Sequence, residues 1–224
     1  MGSDELERLH REIRACRKCV LGGYLTAATP IVEGKATDRV MIVGQAPGAV
    51  EIEVGRPFAG RSGAVLRQWL ARAGIDEAHL PYRSAITKCF PGKNPRGEGD
   101  RRPSPAEIAL CAPWLERELA LVRPNVLLLL GRLAIDRFWG PASLEDAVGR
   151  VRREQDRVLI PLPHPSGASR WLNRPEHRER LARALRLLRR ELADLSVAET
   201  RGARRTRARR GVPPTRVPSS PARA

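Results

Sequence analysis

The chain has 224 residues, 42% of them hydrophobic, and a formal net charge of +16. This size and composition suit one globular core of good size or two small ones, and no apolar run approaches the roughly 18 residues that cross a membrane. The charged, helix-like N-terminus lacks a secretory apolar segment, so we expect a cytoplasmic protein. The strong positive charge indicates a polyanionic partner, of which nucleic acid is the usual one.

Much of this charge lies at the C-terminal end of the sequence. After Glu199 the segment TRGARRTRARRGVPPTRVPSSPARA carries eight arginines, no acidic residue and almost nothing to bury. We therefore expect a folded domain over residues 1–198 and a disordered Arg/Pro-rich tail over residues 199–224. Such a tail attracts nucleic acid, although a solubilising tail or one drawn to anionic lipid has the same composition.

Apolar spacing predicts helices and strands that alternate along the chain. An amphipathic helix over Asp4–Arg17 is followed by a buried strand in DRVMIVGQ, a helix in SGAVLRQWLARAGI and a strand in RSAITKCF. A capping box at Ser104 and Glu107 starts the next helix, SPAEIALCAPWLERELALVRP. The strand NVLLLLG, the helix RLAIDRFWG, the strand DRVLIPLPHPSG and the helix RPEHRERLARALRLLRRELADL complete the series.

This alternation predicts an α/β fold with a parallel sheet between helical layers. In such sheets ligands bind beyond the carboxyl ends of the strands. The loops GQAPG, KCFPGKNP and PHPSGAS each follow a predicted strand, so we expect all three to face one cleft.

Four cysteines indicate a metal site. The Cys-x2-Cys pair can turn both sulfurs towards one metal, and the other two cysteines can complete four thiolates: Cys16, Cys19, Cys89 and Cys111. In a cytosolic protein this set favours zinc or an iron–sulfur cluster over disulfides. The spacing alone does not separate the two metals, and a lone pair beside two buried structural cysteines is the alternative.

Six motifs in chain order resemble the uracil-DNA glycosylase superfamily, and within it the iron–sulfur enzymes of the family-4 type. They are CRKC, GQAPG, GRPFAGRSG, ITKCFPG, RPNVLLLLGRLAI and HPSGAS, and the resemblance runs from about Cys16 to Leu188. It implies a three-layer α/β/α sandwich around a four-stranded parallel sheet, with a structural 4Fe–4S cluster on the four cysteines. It also implies a monofunctional DNA repair enzyme that flips uracil out of DNA, hydrolyses its N-glycosidic bond and leaves an abasic site.

The resemblance also implies roles for individual residues. Phe58 would give the flipped base an aromatic face, whereas packing beneath a loop is the ordinary alternative. His164 would hold negative charge on the departing uracil oxygen, or would be a structural histidine at the end of a strand. The main chain of the first loop would grip the edge of the base, through Gly44, Ala46, Pro47 and Gly48.

Two departures from the family pattern concern the site. Gln45 stands where the family-4 motif has a glutamate associated with the attacking water, and Ala46 fills the neighbouring place. A glutamine orients water but cannot take its proton, so we assign the water-positioning carboxylate to Glu51 or Glu53, with a merely exposed acid as the alternative.

The second departure is Ala85, preceded by Ser84, where the family has an asparagine that reads the uracil edge. Selectivity then depends on main-chain donors, on Ser84 or on another group. The change leaves open a glycosylase for another deaminated base such as hypoxanthine. The changes at residues 45 and 46 leave open a non-catalytic iron–sulfur protein that binds DNA or senses redox state.

Residues near the C-terminal strand and in one long loop are assigned to DNA. The resemblance implies that the loop carrying Ser166, Arg170 and Trp171 enters the duplex, although Trp171 alternatively packs inside the protein. The longer GKNPRGEGDRR loop either contacts phosphates or is solvated, through Lys93, Arg96, Arg101 and Arg102. We expect a monomer whose partner is DNA containing uracil, with no membrane partner.

Overall fold

The computed structural model of the chain describes residues 2–95, 99–154, 156–166 and 170–210, with side chains described as far as residue 197. The chain divides into two units, Met1–Arg189 and Arg190–Ala224. The first unit contains the whole sheet. None of the helices in the described residues combines the length and the apolar character that a membrane span needs.

The sheet has five strands: β1 Val40–Gly44, β2 Tyr82–Ala85, β3 Val126–Leu130, β4 Arg152–Arg153 and β5 Val158–Leu162. Their order is β2-β1-β3-β5-β4. The first four in this order pair in parallel and β4 pairs antiparallel with β5. The α/β class is confirmed. The predicted total of four strands is wrong because two exposed arginines form the short edge strand β4 and leave no apolar pattern to find.

The central strands are apolar because both of their faces are covered. Every residue of β1, β3 and β5 is buried, as expected for strands between two helical layers. Met41 and Leu127 pack in one core cluster with Leu9 and Leu115. Residues that alternate with them, such as Ile42, point to the other face of the sheet.

Eight helices are present in the described residues: α1 Gly2–Ala15, α2 Lys18–Leu21, α3 Ala49–Val54, α4 Arg61–Arg72, α5 Pro105–Val122, α6 Arg132–Phe138, α7 Leu144–Ala147 and α8 Pro175–Arg210. The sequence predicted α1, α4, α5, α6 and α8. It missed α2, α3 and α7, which have four to six residues and so are too short to show a helical period. The capping box of α5 is confirmed, because the Ser104 hydroxyl accepts from the Glu107 N–H at 3.3 Å and the Glu107 carboxylate accepts from the Ser104 N–H at 2.7 Å.

The last helix extends beyond the predicted end of the domain. α8 continues through Arg210, so residues 199–210 are helical where the composition predicted disorder. Arginine and alanine are good helix formers even without an apolar stripe. The rest of the predicted tail, residues 211–224, lies outside the described residues.

A buried polar network joins α1, β2 and α5. The Tyr82 hydroxyl donates to Glu118 at 2.9 Å and the Ser84 hydroxyl donates to the same carboxylate at 2.8 Å. The Lys88 ammonium lies 2.7 Å from Glu118, and both side chains are almost fully buried. His10 lies 2.7 Å from the Tyr82 oxygen. Buried polar groups are tolerated when they are paired in this way.

Candidate active site

Two adjoining cavities lie at the carboxyl ends of the parallel strands. The inner one, of about 100 Å³, contains Phe58 and His164 in its wall, together with Gly44 and the residues Ala46, Pro47 and Gly48 of the first loop. A single water needs about 10–15 Å³ on such a scale, so the inner cavity has room for a small ring. The outer one, of about 340 Å³, shares Ala46, Pro47, Ser62, Asp100 and His164 with it.

Phe58 is held against the inner cavity by a strained loop. Its φ is 56°, in the left-handed region that favours glycine. A Cβ on Gly63 would lie 1.7 Å from the Phe58 carbonyl oxygen, and one on Gly44 would lie 3.2 Å from the Phe58 ring. The glycines of this loop therefore allow the backbone and the ring to approach closely. Strain of this kind is typical of functional sites.

His164 follows β5 and lines both cavities. Its Nδ1 accepts from the Ser166 N–H at 3.2 Å, which leaves the proton of a neutral ring on Nε2. Burial lowers the pKa of His164, while the charges of Asp100 and Glu51 act in the opposite direction. Gly131, at φ 81°, makes room for the ring, because a Cβ there would lie 3.3 Å from His164 atoms.

The two predicted carboxylates lie in different surroundings. The Glu51 carboxylate accepts from the N–H of Gly48 and from the N–H of Gly60, both at 3.0 Å, and so ties the first loop to the Phe58 loop. Glu53 is exposed on α3 and lines neither cavity. The structure brings Glu51 to the site and leaves Glu53 outside it. Gln45 lines the outer cavity only.

Asp100 is a site residue that sequence reasoning missed. It lines both cavities although it comes from the long charged loop after Cys89. That loop has no apolar period, and an acid in a charged loop with another acid and several basic residues gives no signal of its position. Its charge next to His164 becomes evident only after folding.

The wall formed by β2 contains Arg83, Ser84 and Ala85. The Ser84 hydroxyl donates to Glu118 and accepts from the Lys88 ammonium at 2.7 Å, so it is engaged inside the protein. Ala85 has no polar side chain to offer. Arg83, which no sequence motif singled out, lies 2.9 Å from Glu33.

The residues assigned to DNA divide into two groups. Ser166 lines the outer cavity, and Arg170 is exposed in a short 3-10 turn. Trp171 instead stacks on His177, with ring centres 4.2 Å apart, and its Nε1 donates to Glu145 at 2.8 Å. These contacts support the packing interpretation of Trp171 over a role as a wedge. Residues 167–169 of this loop lie outside the described residues.

The basic side chains of the long loop are held by acids of the protein. Lys93 lies 2.9 Å from Asp100, Arg101 lies 2.7 Å from Glu107, and Arg102 lies 3.5 Å from its partner Asp136. Arg96 lies outside the described residues. The assignment of this loop to DNA phosphates therefore gains no support from the described side chains.

The four cysteines surround one cavity. A space of about 20 Å³ is lined by Cys16, Cys19, Cys89 and Cys111, and all four are free thiols. Burial raises the pKa of Cys89 to about 12, and the neighbouring cysteines act in the same direction. A bound cation reverses this effect and keeps thiolates deprotonated. In the described part of the chain, no group of three or more His, Cys, Asp or Glu side chains is placed to hold a metal ion.

Two further residues of the cysteine cavity have unused hydrogen-bond donors. The Thr87 hydroxyl and the Trp114 Nε1 are buried, line this cavity and have no hydrogen-bond partner among the described residues. Such donors suit a group rich in acceptor sulfurs. The number of thiols and the surrounding donors are those that an iron–sulfur cluster would need.

Comparison with known proteins agrees with this arrangement. The family profile described as Uracil DNA glycosylase superfamily matches residues 31–186. The chain is 34% identical over 185 residues to a type-4 uracil-DNA glycosylase of Archaeoglobus fulgidus, covering 79% of this chain and 87% of that protein. It is 30% identical over 174 residues to one of Sulfurisphaera tokodaii, covering 74% and 76%. A type-5 uracil-DNA glycosylase of Thermus thermophilus is 36% identical over 117 residues, covering 46% and 50%.

The parallel sheet and the cavities at its carboxyl edge define an α/β protein with its candidate binding site beyond the strand ends. The extent of the profile match identifies the family. The chain belongs to the uracil-DNA glycosylase superfamily.

Proposed function

We propose that this protein hydrolyses the N-glycosidic bond of a uracil flipped out of DNA and leaves an abasic site. The observation that carries the proposal is that Phe58 and His164 line one cavity with room for a small ring. Uracil is favoured as the base because the type-4 relatives are named uracil-DNA glycosylases. Hypoxanthine excision and non-catalytic binding have no comparable support.

In this proposal the base enters the inner cavity and stacks on Phe58. Stacking of a base on an aromatic side chain contributes roughly 1–3 kcal/mol. The bond to the sugar breaks with both electrons staying on the base, so negative charge develops on a uracil oxygen. A neutral His164 with its proton on Nε2 would donate to that oxygen, and one such donor is worth about 3–4 kcal/mol in a comparable oxyanion hole.

The direct test uses labelled oligonucleotides with one U:G pair or one uracil in a single strand. After incubation and alkali treatment, the wild-type protein is expected to produce cleaved strand, and His164→Ala is expected to bind the DNA without producing it. Matched strands with hypoxanthine or xanthine measure base preference. A wild-type protein that gives no alkali-labile product from either uracil substrate contradicts the proposal.

We also propose that the four cysteines hold a 4Fe–4S cluster. When bound, the cluster would cross-link the α1–α2 region, the loop after β2 and α5, and it has no step in the hydrolysis. Four free thiols around one cavity and the two unused donors beside it support this proposal. Iron and sulfide analysis with a visible absorption spectrum tests it, and stoichiometric zinc without iron would contradict it.

Two expectations complete the proposed function. The protein would act as a monomer, which sedimentation of the purified protein tests. It would work in the cytoplasm, which cell fractionation tests.

A further inference from the structure

The proposed reaction needs a group that activates water, and neither Gln45 nor Ala46 carries a carboxylate. Among the described residues, two carboxylates line the paired cavities, Glu51 and Asp100. Their hydrogen bonds and positions distinguish them.

Glu51 is already committed to the backbone. One carboxylate oxygen accepts from the Gly48 N–H and the other from the Gly60 N–H, each at 3.0 Å. Glu51 also lines the inner cavity only. Removal of its charge would loosen two loops at once, which is the behaviour of a structural residue.

Asp100 lies where the two cavities meet. With the base in the inner cavity and the sugar in the outer one, the bond between them passes the residues common to both. Asp100 is the one carboxylate among the described residues in that shared set, and His164 belongs to the same set. The Asp100 side chain is 33% exposed, so water can reach it.

The base of the long loop holds Asp100 in place. Lys93 and Asp100 form an antiparallel bridge, and the N–H of Arg101 donates to the Gly92 oxygen at 2.9 Å. Arg101 is in turn fixed by two hydrogen bonds of 2.7 Å to Glu107. One Asp100 oxygen accepts from Lys93 at 2.9 Å.

The other oxygen of Asp100 faces the first loop. A Cβ on Gly48 would lie 3.0 Å from Asp100 Oδ2. This oxygen therefore points towards the wall that the GQAPG loop contributes to both cavities.

We propose that Asp100 is the catalytic carboxylate that binds the attacking water and removes its proton. This inference rests on the proposed function. The water oxygen forms a bond to C1′ of the sugar while the C1′–N1 bond breaks and its electron pair leaves with the base. Asp100 takes one proton of the water, the other stays on the new hydroxyl, and the base anion is protonated from Asp100 or solvent after release.

The test compares single-turnover excision by wild type, Asp100→Asn and Lys93→Gln on U:G DNA. Asp100→Asn removes the proton-accepting carboxylate without changing the size of the side chain. A general base contributes about 10²–10⁴-fold, so the rate of excision is expected to fall by that factor. Lys93→Gln breaks one contact that positions Asp100 but keeps the carboxylate, so its rate is expected to fall by no more than about fivefold, far less than that of Asp100→Asn. Binding to DNA with a non-hydrolysable uracil nucleotide is expected to change little in either variant.

Two results would overturn the assignment. Equal losses in Lys93→Gln and Asp100→Asn would show that the ion pair orders the loop and that the carboxylate has no chemical role. An Asp100→Asn rate close to wild type, with His164→Ala inactive, would refute the role of Asp100 and leave the proposed function intact. Absence of excision by wild type would instead refute the proposed function itself.

Discussion

The positions of single aromatic residues at the cavity depend on neighbouring glycines, which have no side chain. Phe58 and Gly131 both adopt positive φ angles, and each places a ring at the cavity. At Phe58 the ring belongs to the strained residue itself, whereas at Gly131 the missing Cβ makes space for His164. Mutations at these two positions can therefore separate the effect of losing a ring from the effect of backbone strain.

Phe58→Ala is expected to weaken binding of DNA that carries a non-hydrolysable uracil nucleotide by about 5- to 150-fold, the equivalent of about 1–3 kcal/mol of stacking. Fluorescence anisotropy measures this change. Binding of the same variant to undamaged DNA is the control and is expected to stay constant, because no base then enters the cavity. Equal weakening on both DNAs would contradict a stacking role.

Gly131→Ala is expected to slow excision by at least about tenfold while DNA binding persists, because the new Cβ displaces His164 from its position. Gly140→Ala is a matched control: its φ is 93° and a Cβ there meets nothing within 4 Å. Both substitutions place alanine at a positive φ, and Gly131, at ψ 174°, lies in a region that essentially only glycine adopts, so the strain there is about 1–3 kcal/mol. Single-turnover rates that fall equally in the two variants would assign the effect to strain alone.

At the scale of elements, the pair of Lys88 and Glu118 joins the loop after β2 to α5. Lys88 also donates to the Ala85 oxygen at 2.6 Å, next to the inner cavity, and its N–H donates to the Cys111 sulfur at 3.3 Å. One buried cation therefore contacts the wall of the base cavity, while the backbone of the same residue contacts the cysteine site. The helix α5 supports both sites through this residue.

Glu118→Gln is expected to lower the free energy of unfolding by about 3–5 kcal/mol, because it leaves the Lys88 ammonium buried without a counter-charge. Glu116→Gln on the same helix is the control: its partner Arg137 is 3.2 Å away and both side chains are at least half exposed, so a loss below about 1 kcal/mol is expected. Urea denaturation measures both. Similar losses would mean that the buried Lys88–Glu118 pair contributes no more to the free energy of unfolding than the exposed pair does.

At the scale of the whole molecule, the net positive charge is expected to govern the encounter with DNA. The net charge of +16 includes eight arginines after Glu199, without an acidic residue among them. Each phosphate that a protein contacts releases counterions. The logarithm of the affinity therefore falls with the logarithm of the salt concentration, with a slope proportional to the number of phosphates bound.

Deletion of residues 199–224 is expected to weaken DNA binding at low salt. It is also expected to flatten the salt dependence by about 0.9 in logarithmic slope for each phosphate that the shortened protein no longer binds. Titrations at several salt concentrations measure the slope. A full-length variant with the eight arginines changed to glutamine is the control, because it keeps the tail and removes its charge. An unchanged slope in both proteins would show that the tail binds no phosphate.

Much of this protein follows from local patterns in the sequence. The runs VMIVG, VLLLL and VLIPL predict buried strands, because only strands covered on both faces are apolar throughout. The motifs around Phe58 and His164 predict that both residues face the cleft, and the structure places them in one cavity. The four cysteines also line one space, in agreement with the four-thiolate interpretation.

Tertiary structure alone decided what each polar side chain does. Glu51 became a backbone anchor, Trp171 a packing residue and Asp100 the acid beside His164, and the sequence next to each of them does not specify these contacts. The physical reason is the distance along the chain over which each effect acts. Burial over a few residues leaves a periodic pattern, whereas the partner of a charge is chosen by the path of the chain, which brings together residues far apart in sequence.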